Sequence, residues 1–165
     1  MKIAVISDIH DNIWNLKKAL DILKKEKIKT AFCLGDYCSP PAFQILMNGL
    51  RKAYCIWGNV DGEKFLITKY VYENNLKNIK LLGVFGEVKI DKKKIALIHN
   101  QEIAYPLAKS NLYDAVFCGH FHTSKVEKIG KTLFANPGEV MGLNGSPSFG
   151  IWDSKTNKIE IVKIK

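Results

Sequence analysis

Arginine is almost missing from this chain. Arg51 is the only one among 25 basic residues in 165, although the formal net charge is +9. The guanidinium fork is the side chain best suited to bidentate phosphate and guanine recognition, so its scarcity weakens a nucleic-acid reading of the positive charge. The lysines are spread through segments such as LKKEKIK and DKKKIA, the pattern of a solvated surface rather than a single basic stripe. No apolar run approaches the ~18 residues that a membrane span requires, and no membrane partner is expected. The opening MKIAVISDIH lacks a small-residue cleavage site and reads as a first strand. Cys-x-x-Cys pairs are absent too. Cys33, Cys38, Cys55 and Cys118 stand apart, three of them within apolar runs, as reduced thiols of a cytoplasmic protein would. No low-complexity linker interrupts the chain, so residues 1–165 are read as one domain.

What is present is an alternation of strand and helix patterns. KIAVIS (2–7) is a compact β-branched run of the kind buried in a parallel sheet. Asn12 then offers a cap to a helix that carries Ile13, Leu16, Leu20 and Leu23 on one face. A strand at 30–34, a helix opened by Pro40 and Pro41 and running to Leu50, and a strand at 52–57 repeat the unit. A helix near 63–75 follows. Strands near 79–90 form a hairpin region in which DKKK turns into KIALIH (94–99). A short helix over 102–110 precedes AVFCG, and KVEKI, TLFAN, SFGIWD and KIEIVKI read as antiparallel strands joined by turns. The expected fold class is α/β, a layered sandwich of mixed sheets flanked by helices.

The polar residues fall at the ends of these strands. Asp8 and His10 follow the first, Gly35 and Asp36 the second, and Gly58 and Asn59 the third. His99 ends a later core strand, and His120 and His122 follow another in GHFHTS. Loops at the carboxyl ends of strands converge above an open α/β sheet, where ligands bind. Two aspartates, four histidines and an asparagine, without thiolate, suit borderline divalent metals better than an all-oxygen magnesium or calcium cage. Seven donors exceed one tetrahedral ion and suit two ions sharing a carboxylate, the arrangement that clamps in-line displacement at phosphorus with metals about 3.5–4 Å apart. Gly35, Gly58 and Gly119 each precede a candidate ligand and permit a sharp turn there.

At these residues the chain resembles the calcineurin-like metallophosphoesterases. The family pattern of Asp-x-His, Gly-Asp, Gly-Asn, a lone His and Gly-His-x-His stands here as DIH, GD, GN, IHN and GHFH, in that order and consuming all four histidines. The resemblance spans residues 3 to about 153 and points to the small bacterial and archaeal phosphodiesterase branch, to which a retromer subunit is related. It implies that Asp8, His10 and His122 hold one metal, that Asn59, His99 and His120 hold a second, and that Asp36 bridges them. Catalytic roles are implied for Asn59, His99 and His120, with a hydroxide between the metals attacking phosphorus. Manganese or nickel is expected ahead of iron, zinc or magnesium. The two histidines of GHFH would reach different ions by lying on an extended segment.

Two departures from the family pattern stand out. Val60 occupies the place of a histidine that would protonate the leaving group, and Ser39 and Pro40 replace an Asp-Arg pair. Asp61 is either a partner of a ligand or a turn residue, and NPGEV (136–140) either a turn near the metals or a turn of its own. Trp14, Trp57 and Trp152 are read as packing residues, whereas Tyr37 and Asn100 are candidates to line the pocket. Three function classes follow: a phosphodiesterase acting on small diesters, a metal-loaded protein-interaction module, and, least supported, a nuclease. Association into a homo-oligomer is left open.

Overall fold

The computed structural model describes residues 1–165 as eleven strands and four helices. β1 (Lys2–Ile6), β2 (Thr30–Cys33), β3 (Lys52–Cys55) and β4 (Ile79–Leu81) run parallel side by side. β10 (Ser148–Asp153) and β11 (Lys158–Lys163) extend that sheet antiparallel beyond β1. The second sheet has the order β5 (Phe85–Ile90), β6 (Lys93–Ile98), β7 (Ala115–Phe117), β9 (Thr132–Asn136) and β8 (Lys125–Ile129). No helix is long and apolar enough to cross a membrane.

The period-2 alternation of side chains explains the layering. Along β1, Ile3 and Val5 enter a core between the two sheets, while Ala4 and Ile6 face a second core under α1 (Ile13–Lys25), α2 (Pro40–Asn48) and α3 (Lys64–Glu73). Along β6, Ile95 and Leu97 join the inter-sheet core, while Ala96 and Ile98 meet α4 (Gln101–Lys109). These strands are buried on both faces, so they read as continuous apolar runs, and the result is a four-layer α/β/β/α sandwich. Phe32, Phe117 and Trp152 meet at its centre with ring centroids 5.7–5.9 Å apart. Truncating one of these rings is expected to cost about 3–5 kcal/mol.

The local expectations hold with shifted ends. Asn15 donates its backbone N–H to the Asn12 side chain, so Asn12 caps α1 as anticipated. The strand runs at 2–7, 30–34 and 52–57 stop one or two residues early because their last residues turn over the sheet edge. The region 79–90 differs more. It is split at Leu82–Val84, β4 closing the first sheet and β5 opening the second as the hairpin partner of β6. Similarly, β9 pairs parallel with β7, and the chain changes sheets before β10. Both crossovers are invisible to periodicity, which is the same for strands of either sheet.

Candidate functional site

All seven candidate donors lie on loops at one edge of the sandwich, where the carboxyl ends of β1, β2 and β3 face those of β6 and β7. The loops are stitched to one another through the backbone. Ile9 and His10 donate N–H to the Asp36 carbonyl, Gly119 donates to the His99 carbonyl, and Met141 donates to the Asp8 carbonyl. Gly58 and Gly119 make this approach possible: a Cβ at Gly58 would overlap Asp36 Oδ1, and one at Gly119 would overlap Ser7 Oγ.

Two clusters of donor atoms result. Asp8, His10 and His122 form one, and Asp8, Asp36 and His99 the other, each with its atoms within 4.8 Å of one another. Asp36 Oδ2 stands 3.4 Å from His10 Nε2 and 3.2 Å from His99 Nε2, between imidazoles of different clusters. Asp8 Oδ1 is 3.4 Å from His122 Nε2 and 3.8 Å from His10 Nε2. Asp8 and Asp36 are almost wholly buried. Such carboxylates require compensation, since burying an unpaired charge is very unfavourable.

The histidines are oriented from behind. His99 Nδ1–H donates to the Leu34 carbonyl at 2.8 Å, which leaves the Nε2 lone pair facing the two aspartates. His122 Nδ1 lies 2.7 Å from Glu139 Oε2, with the same consequence for its Nε2. His120 Nδ1 lies 2.9 Å from Asn59 Oδ1, and its ring packs edge-on against His99 at 5.2 Å. His10 Nε2 and His99 Nε2 are buried and have no hydrogen-bond partner. Two orphaned ring nitrogens beside two buried carboxylates are a donor set that fits divalent cations.

The electrostatics agree. Pairing with the Asp8 carboxylate, together with the Asp36 charge, holds the His10 imidazolium above its ordinary pKa against the effect of burial. Burial works to raise the Asp36 pKa, but His99, the Val60 N–H and His10 outweigh it and the carboxyl stays below its usual range. The Asp36 carboxylate therefore stands ionised between the two histidines.

GHFH does separate its two rings, His120 toward His99 and His122 toward His10, whose centroids are 4.9 Å apart. The backbone is not extended, however. His120 and His122 both have positive φ, 74° and 57°, and Phe121 N–H donates to the Gly119 carbonyl in a tight turn. The segment is thus a turn where an extended segment was expected, because hydrogen bonds from the neighbouring loops, such as that of the His120 N–H to Asp8, select it.

Two carboxylates behind the site carry more weight than the sequence suggested. Asp61, buried, accepts N–H bonds from Asp36, Tyr37, Cys38 and Gly58 at 2.7–3.0 Å and so ties the loop after β2 to the loop after β3. Glu139 of the NPGEV turn orients His122 through one oxygen and accepts the Asn144 N–H through the other. The turn thus belongs to the site, and the signal was a carboxylate in a buried, apolar-flanked turn. Tyr37 does not line a pocket: it is buried, with its hydroxyl against the Cys33 and Ile56 carbonyls. Ser39 donates its N–H and hydroxyl to Asp11.

A two-sheet sandwich with this loop-borne donor set is the architecture of a phosphoesterase, and residues 1–157 match the calcineurin-like phosphoesterase superfamily domain. The chain belongs to that superfamily. It is 34% identical over 158 residues, 94% of each chain, to phosphodiesterase MJ0936 of Methanocaldococcus jannaschii. Among solved structures it is similar to an archaeal phosphodiesterase (TM-score 0.89, 31% identity, 99% of both chains covered). It shares its fold with the Escherichia coli phosphoesterase YfcE (TM-score 0.71, 19% identity, full coverage of both) and with Vps29 of Entamoeba histolytica (TM-score 0.68, 21% identity, full coverage of both).

Proposed function

We propose that residues 1–165 act as one divalent-metal-dependent phosphodiesterase unit that hydrolyses small phosphodiesters at a dinuclear centre. The observation that carries this reading is Asp36 Oδ2, poised between His10 Nε2 and His99 Nε2, both orphaned. Asp8, His10 and His122 would hold one ion and Asn59, His99 and His120 the other, with Asp36 shared; manganese or nickel suits these nitrogen and oxygen donors. When bound, such a pair supplies Lewis acidity at phosphorus and acidifies the attacking water. The chain's own residues do the rest. Leu34 and Glu139 fix the imidazole orientations, Asp61 holds the Asp36 and Gly58 loops in register, and the exposed Asn59 side chain presents its amide to a nonbridging phosphoryl oxygen. Val60 carries no transferable proton, so the departing oxygen must leave with much of its own charge. Reduced thiols at Cys33, Cys38, Cys55 and Cys118 accord with a cytoplasmic setting.

The test is metal titration of chelated protein followed by assay on diesters with graded leaving groups. Two equivalents should bind, manganese or nickel should restore activity better than calcium, and rate should rise steeply with leaving-group acidity. A single site, or a flat leaving-group dependence, would overturn the corresponding part. Metal uptake without any hydrolysis would instead favour the interaction module, and tight duplex binding with a steep salt dependence the nuclease.

A further inference from the structure

Next to the paired carboxylates the sheet edge opens into a cleft of about 210 Å³ walled by Trp57, Val84, Phe85, Ile98 and Ile103. Asn59 and His99 belong to its lining as well as to the candidate metal centre, so the cleft and the phosphate position share a wall. Its apolar residues come from four places: the loop after β3, the β4–β5 connection, the adjoining ends of β5 and β6, and the first turn of α4. Folding does not require them there, since Val84 and Ile103 are 68% and 53% exposed. Trp57 is braced, its ring edge-on to the buried Tyr37 at 6.3 Å.

No lysine, arginine, aspartate or glutamate lines the cleft, in a chain with 25 basic residues. A second phosphate of a substrate would find no countercharge in it, whereas an uncharged apolar group would find contacts on several sides. Size narrows the choice, because an apolar cavity of about 150 Å³ already accepts a benzene ring. Asn100 adds one directed polar group. Its side-chain oxygen accepts the Glu102 and Ile103 N–H groups at the start of α4, leaving its amide nitrogen to donate elsewhere.

We propose that this cleft is the subsite for one ester group of the diester: a single uncharged aromatic ring, joined directly through oxygen to phosphorus. The inference rests on the phosphodiesterase reading. It also assigns Trp57, expected from the sequence to be a packing residue, a specificity-determining surface.

Preference for aryl substrates would also follow from leaving-group acidity alone, so the test uses ligands whose ring cannot leave. Methyl phenylphosphonate and methyl methylphosphonate, both monoanions with a P–C bond, are compared as competitive inhibitors of manganese-loaded enzyme acting on bis(p-nitrophenyl) phosphate. The phenyl compound should bind about tenfold more tightly, as expected for burying one ring face. Ile103→Asp and, separately, Phe85→Ala should each remove most of that preference. In parallel, the methyl resonances of Ile98 and Ile103 in metal-free protein should shift on adding the phenyl compound and not the methyl one. Equal inhibition by the two compounds with hydrolysis intact overturns the subsite and leaves the phosphodiesterase. If no hydrolysis is seen, the phosphodiesterase reading fails, and the Ile98 and Ile103 shifts alone decide the cleft: their absence overturns it.

Discussion

Left-handed backbone occurs in two regions of this protein for different reasons. At the distal turns Lys27, Asn75, Asp91, Lys92, Asn111 and Asn157 have φ between 48° and 68°. Most are Asn or Asp in hairpin or helix-ending turns, where such conformations arise locally. At the site Asp8, His10, Asp11, Asp36, Cys38, His120 and His122 have φ between 43° and 74°. Three of these are aspartates, as in the distal turns, but here the loops that carry them are tied to one another across the sheet edge. They are held there by remote acceptors and donors, above all Asp61 and the backbone bonds between loops. The same torsion is a turn signal in one region and imposed strain, of order 1–3 kcal/mol per residue, in the other.

The sharpest way to break that contrast is to remove what the strained loops present. Asp36→Ala should lower activity by about 10³-fold or more and reduce bound metal below two equivalents, because both candidate clusters lose a neighbour. Retained activity with a folded protein would show that Asp36 is not shared.

Removing the anchor should be nearly as severe but act through stability. Asp61→Ala leaves four backbone N–H groups without their acceptor. A loss of at least about 3 kcal/mol is expected in urea unfolding, with metal affinity falling in parallel. Asp61→Asn, which keeps one carbonyl acceptor, should recover part of it.

Glu139→Gln should weaken metal binding by about 10–100-fold with only a small loss of melting temperature, since it changes the partner of one imidazole and of the Asn144 N–H and leaves the core intact. Calorimetric titration with manganese reads this directly. Val60→His, at an exposed position whose N–H donates to Asp36, should flatten the leaving-group dependence modestly.

The smallest effect belongs to the distal region. Lys27→Gly relieves a left-handed residue just beyond α1, where Ile28 N–H closes back onto the Leu23 carbonyl, and should raise stability by up to about 1 kcal/mol without altering activity. A destabilised Lys27→Gly would mean that the distal torsions are also imposed by tertiary contacts, and the contrast would fall.

Much of this molecule was legible because its information is local. β1, β2, β6 and β7 announce themselves as apolar runs since both faces are buried, and Asn12 is placed where a helix begins. The donor positions were legible for a related reason: polar residues directly after such runs can only lie at the strand ends. The role of Asp61 was not, because one carboxylate accepting four N–H groups from two loops has no sequence period. Nor was Glu139, which lies 17 residues from the histidine it orients. Trp57 packs as expected, against Tyr37 and the core, but that it also walls a cleft was not legible, because the cleft is assembled from segments up to 46 residues apart, ending at Ile103.

The sequence by itself determined which residues are buried, which strands have two apolar faces, and which side chains stand at strand ends. All of these follow from alternation and from the exclusion of polar groups from the core. Only the tertiary structure decided which sheet each strand joins, that His120 and His122 diverge through left-handed turns, and that Asp36 comes between two histidines distant in the chain. Those outcomes depend on hydrogen bonds and close contacts between loops that meet only when the two sheets pack face to face.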